Sequence, residues 1–129
     1  MKAIGLVRRF PCGQGEQFEL IGQFWDQMRA ALPGERLCGV GYGWENDTLC
    51  YLIGALDDHL EAALQGLQGT VKADFIRLLM PDEGWETWEC ELDRLDATYE
   101  AIYAVSRLDW EIEWIDGEHC MLMIHRVTG

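Results

Sequence analysis

No apolar run in this chain approaches the ~20 residues that a membrane-spanning helix needs, so a helical span is excluded. The first ten residues, Met1 to Phe10, have neither a long apolar core nor a small-residue cleavage site, and they read as a strand instead of a signal peptide. A cytoplasmic protein is the expectation. Cysteine pairing motifs are missing too. The five cysteines (Cys12, Cys38, Cys50, Cys90 and Cys120) are odd in number and contain no CxxC, which fits reduced thiols used as small core filler. His59, His119 and His125 make no ligand pair at helical or knuckle spacing, so no metal site and no cofactor are expected. Basic residues are scarce: ten against 23 acids give a formal charge of −13. That field repels nucleic-acid phosphate and anionic membrane and attracts cations. The glycines of Gly39-Val40-Gly41-Tyr42-Gly43 lack the Lys-Ser/Thr ending and the helix that a phosphate loop requires. They would let a ligand or a helix approach the strand closely.

What is present is one domain's worth of patterned sequence, 129 residues long. A strand to Phe10 and a turn at Pro11–Gly15 lead into a helix. Its Phe18, Ile21, Trp25, Met28 and Leu32 follow a 3-4-3-4 spacing on one stripe, and Pro33-Gly34 stops it. Two extended runs, 37–44 and 49–56, form a hairpin around Glu45-Asn46-Asp47-Thr48. A shorter helix over 57–67 ends at Gly66 and Gly69, and 72–80 is a connector or strand. The plan then repeats. A strand at 85–91 precedes a helix with Leu92, Leu95, Tyr99, Ile102 and Tyr103 inward, and a hairpin of 109–115 with 119–127 turns at Asp116-Gly117. The expectation is an α+β fold of duplicated strand-helix-hairpin units (1–56 and 85–129, with a connector helix at 57–67). These would make one mainly antiparallel sheet with two principal helices on one face and a ligand groove between the halves.

The richest segment is Asp109-Trp110-Glu111-Ile112-Glu113-Trp114-Ile115. Its period of two sends Trp110, Ile112 and Trp114 to one face and Glu111 and Glu113 to the other. Paired carboxylates beside aromatics suit a cation with a flat apolar body. The same pattern also describes the wet side of a half-buried sheet. Trp110 and Trp114 are expected as core under the helices. In a regular strand Trp85 and Trp88 point to opposite sides, so one faces the core and one the groove unless a bulge intervenes.

Motifs spread along the chain resemble those of the GyrI-like small-molecule-binding family, also found as the effector domain of AraC-type and MerR-type multidrug regulators. Phe24-Trp25 is similar to the family's helix tryptophan, Cys38-Gly39-Val40-Gly41-Tyr42 to its Tyr-Gly-Val-x-Tyr strand, and Cys50-Tyr51-Leu52-Ile53-Gly54 to the Tyr-x-x-Gly strand that follows. Leu79-Met80-Pro81 with Gly84-Trp85-Glu86-Thr87-Trp88 resembles the Ile-Pro and Gly-Tyr-Ala-Val-Phe segment. Trp110-Glu111-Ile112-Glu113 falls on Phe-Glu-x-Tyr, whose glutamate lies in the ligand pocket. Glu113 replaces the family's tyrosine, and the terminal strand, His125-Arg126-Val127, lacks the usual proline. The resemblance implies a stand-alone binding domain without a DNA-binding helix pair.

It also implies a site of Glu111 and Glu113 with Trp25, Tyr42, Trp44, Tyr51, Trp85 and Trp88 as aromatic walls. The ligand would be an amphipathic, cationic or planar aromatic molecule. Two other functions stay open. Some members of the family hydrolyse cyclopropane-containing toxins, and Glu111 would then be the general base. Others are thought to act as acidic inhibitors of a DNA-handling enzyme, which needs no pocket. A protein partner or a homodimer is compatible with each.

Overall fold

A computed structural model describes residues 1–13 and 15–128. Gln14, within the expected turn at 11–15, lies outside the described residues. The elements run β1 (Lys2–Pro11), α1 (Gln17–Ala31), β2 (Cys38–Glu45), β3 (Thr48–Ala55), α2 (Glu61–Val71), β4 (Asp74–Leu79), β5 (Trp85–Glu91), α3 (Leu95–Val105), β6 (Leu108–Asp116) and β7 (His119–Arg126). A short 3-10 turn, Leu92–Arg94, precedes α3. The fold is α+β. Seven strands form one sheet in the order β4-β1-β3-β2-β6-β7-β5, and each neighbouring pair is antiparallel.

Local chemistry explains the turns. Asn46 and Asp47 both adopt positive φ between β2 and β3, the conformation that a tight two-residue hairpin needs and that Asn and Asp tolerate. Gly117, at φ 63°, turns β6 into β7. The middle helix starts later than its spacing predicts, at Glu61, because the Asp57 side chain accepts from the His59 amide and ring and holds 57–59 as a turn. Gly66 and Gly69 sit inside that helix, which ends at Lys72 in the left-handed region. Leu64, Leu67 and Val71 anchor it, and their packing outweighs the glycines' preference for a break.

All three helices cover one face of the sheet. Phe24, Trp25 and Met28 of α1 pack with Leu64 and Val71 of α2 on Ile4, Leu6, Tyr51 and Ile53. Ile102 of α3 packs on Leu122 and Ile124. The opposite face carries its own cluster, built on Ala3, Cys38, Val40, Leu52, Met80 and Ile112, to which no described helix contributes. Trp110 and Trp114 belong there, with Tyr42 stacked on Trp110 at 5.3 Å between centroids. This corrects the expectation that those tryptophans lie under the helices. Alternation assigns residues to opposite faces, but the helices chose the carboxylate side. No described helix is long and apolar enough to cross a membrane.

Candidate functional site

The two halves meet where β2 pairs with β6, with Gly41 opposite Glu111 and Gly39 opposite Glu113. Those glycines and glutamates all point toward the helices. A Cβ at Gly41 would come within 2.8 Å of the Glu111 Cγ and Oε1, and one at Gly39 would collide with the Tyr51 phenol. The Gly-x-Gly spacing in β2 therefore opens space for a carboxylate and a phenol from neighbouring strands. A ligand or helix is not what fills it.

Both glutamates are buried, at 9% and 7% exposure. A carboxylate removed from water needs partners, and here the partners are phenols. Tyr51 and Tyr99 each donate to Glu113, the latter at 2.8 Å, and the Trp25 indole N–H donates to Tyr51 at 2.9 Å. Tyr103 donates to Glu111 at 3.1 Å. Burial pushes the Glu111 carboxyl up to about 8, the Glu113 charge pushes the same way, and the Tyr103 bond opposes both. Burial also raises Glu113, but Tyr51 and Tyr99 pull it back by stabilising its charged form. Glu113 is thus the more heavily hydrogen-bonded of the two, and Glu111 is pushed toward holding a proton near neutrality.

The pair sits in the wall of a cavity of about 440 Å³. α1 contributes Gln17, Phe18, Ile21, Gly22 and Trp25 to it, and α3 contributes Leu95, Asp96, Tyr99 and Tyr103. Its floor includes Trp44, Leu49 and Tyr51. No basic side chain lines it among the described residues, so its fixed charge is wholly negative. Phe18 and Tyr103 are 62% and 45% exposed, which is unusual for aromatics and leaves an apolar rim open to water. Phe18 was expected on the core stripe. It lies in the first turn of α1, at the cavity's rim. Gly22 faces open space inside this wall, where a helix gains nothing in stability from glycine.

Of the eight residues singled out from sequence, the cavity gathers Glu111, Glu113, Trp25, Trp44 and Tyr51. Tyr42, Trp85 and Trp88 do not line it. Tyr42 and Trp85 belong to the uncovered face, where Trp85 contacts the His125 ring and donates to the Pro81 carbonyl. Trp88 packs beside Ile102 and Leu122. Alternation thus turns Tyr42 and Trp85 away from the helices, while Trp88 lies on the helix face but on the edge strand β5, two strands from Glu111. Sequence reading missed Tyr99 and Tyr103 as site residues. Their spacing of four on the inward stripe of α3 places two phenols one turn apart, opposite a strand with two acids, and that was the available signal.

No family model matches the chain, and no curated protein matches its sequence. Solved structures similar in fold include two that cover the whole of this chain. One is SAV2435 bound to tetraphenylphosphonium, with a TM-score of 0.63 and 13% identity over 100% of this chain and 89% of that one. The other is a Staphylococcus aureus MU50 protein whose name places it in bacterial transcription regulation, with a TM-score of 0.59 and 13% identity over 100% of this chain and 93% of that one. Identity this low shows a shared fold.

Proposed function

We propose that this chain is a GyrI-like ligand-binding domain that captures amphipathic, cationic aromatic molecules, with Glu111 as the counter-charge. One observation carries the reading: a buried carboxylate opens on a cavity that is aromatic, acidic and free of any described basic side chain. Such a group is costly to ionise alone, and a cation that enters beside it offsets the cost. Trp25, Trp44, Tyr51, Tyr99 and the rim residue Phe18 supply flat apolar surface, and each cation–π contact adds roughly 0.5–2 kcal/mol. Glu113 acts through its charge and its grip on Tyr51 and Tyr99. Tetraphenylphosphonium, bound to the structural neighbour SAV2435, is a ligand of this chemical kind.

Hydrolysis with Glu111 as general base fits less well. A carboxyl raised to about 8 is basic enough to take a proton from water. The aromatic, acidic wall around it is nevertheless matched to holding a cation. Turnover of a cyclopropane electrophile that Glu111→Gln abolishes would reverse this ranking. On this reading the domain works in the cytoplasm, alone or beside a protein partner.

The test is a titration with tetraphenylphosphonium, followed by quenching of tryptophan fluorescence. Glu111→Gln is expected to weaken binding by about 2 kcal/mol, roughly thirtyfold, whereas the exposed control Glu100→Gln leaves it unchanged. Equal affinity in the two variants removes Glu111 from the site.

A further inference from the structure

The aromatic donors of the cavity are already engaged. The phenols of Tyr51, Tyr99 and Tyr103 and the indole of Trp25 already donate within the glutamate network. The acceptors are not all used. Tyr103 is the only described side chain that hydrogen-bonds Glu111, and it reaches Oε2 alone. The Gln17 side-chain oxygen is buried and has no partner among the described residues. Gln17 lines the same cavity from the first turn of α1.

A buried amide oxygen without a donor costs free energy, and native structures rarely leave one without a reason. Water is the usual remedy where room allows. Phe18, Ile21 and Leu95 line the same cavity, and the polar groups there, Asp96 and the two glutamates, are acceptors and not donors when ionised. The three rotatable bonds of Gln17 let its amide swing toward an occupant. An occupant that brings N–H groups would satisfy the amide and the second Glu111 oxygen together. A quaternary ammonium or phosphonium has no hydrogen to give.

From this we infer that the site prefers cations carrying N–H donors, such as protonated aryl-alkyl amines, amidines or guanidines, over quaternary onium ions of equal size. The inference rests on the proposed cation site and narrows its ligand class. Gln17 becomes the residue that reads the donor, and Glu111 supplies charge to either kind of ligand.

A matched pair separates the two ideas: biphenylmethylamine, protonated at pH 7, and its N,N,N-trimethyl derivative, both titrated by tryptophan fluorescence. The extra methyl groups favour the quaternary ion through apolar contact, so a preference for the amine has to come from its hydrogens. The amine is expected to bind about tenfold tighter. Gln17→Leu is expected to lower amine affinity by about tenfold and leave the quaternary ion within about twofold. A melting curve would confirm that the variant is folded, and Gln17→Met serves if it is not. Equal affinities for the pair, or a preference for the quaternary ion, overturn the inference and leave the cation site standing. Amine preference that survives in both Gln17 variants overturns the role of Gln17. If neither compound nor tetraphenylphosphonium binds, the cation site and this inference fall together.

Discussion

The two faces of β6 invert the ordinary arrangement of a sheet. Glu111 and Glu113 point under the helix layer, where a strand usually places its apolar residues, while Trp110, Ile112 and Trp114 point to the face that no described helix covers. On the uncovered side, strand side chains and the loop residues Leu56 and Met80 keep Val40, Leu52 and Ile112 at 0% exposure without any described helix. On the covered side, the helices stand off from the sheet around a space of about 440 Å³. The covered face thus divides into a packed core, where α1 and α2 meet β1 and β3, and a cavity that tolerates buried charge, a helix glycine and an unpartnered amide oxygen. A chain selected for stability alone would gain nothing from that division.

The comparison can be broken most forcefully on the uncovered face. Ile112→Ala should cost about 2–5 kcal/mol in denaturant unfolding, as a fully buried aliphatic truncation does. Cation affinity of the folded variant should stay within about twofold. A large loss of binding at full folding would mean that the faces are coupled.

The second test concerns the charge on the covered face. The Glu111 carboxyl has an ordinary value of 4.5 and a folded value of about 8. Between those limits the unfolded chain loses this proton while the folded chain keeps it, so stability falls as pH rises toward 8 and levels off above it. Glu111→Gln should flatten that part of the profile and stabilise the empty protein at pH 8 by about 2 kcal/mol. A mutation that removes binding while raising the melting temperature is expected of a group kept for function. A variant less stable than the parent at pH 8 would make Glu111 a structural residue.

The smallest effect sharpens the contrast within α1. Gly22→Ala should stabilise the protein by about 0.5–1 kcal/mol, since the new methyl meets open space and the helix prefers alanine. The methyl also enters the cavity wall, so tetraphenylphosphonium should bind a few-fold more weakly. Unchanged affinity would place Gly22 outside the ligand's reach.

Much of this was legible in sequence because it depends on short-range periodicity. The apolar stripe of α1, the Asn46-Asp47 turn and the Trp/Glu alternation of β6 are local patterns, each with its own physical cause. The middle helix was harder to read. Gly66 and Gly69 looked like its end, yet packing of Leu64 and Val71 carried it past both. Trp88 looked like a cavity wall from its motif, but strand order put β5 at the sheet edge, and strand order leaves no local trace. The glycines of β2 were recognised as making room. What they make room for, Glu111 and Tyr51, is set by a register between strands about 70 and 12 residues away along the chain.

From its sequence alone the chain determined that Glu111 and Glu113 share one side of β6 and the tryptophans the other, because side chains alternate across any extended strand. Only the tertiary structure decided which side the helices would cover, and with it that two carboxylates would be buried among Tyr51, Tyr99 and Tyr103. Alternation has no preferred direction. The path of the chain from strand to helix to hairpin supplies one, and that path exists only once the strands have paired.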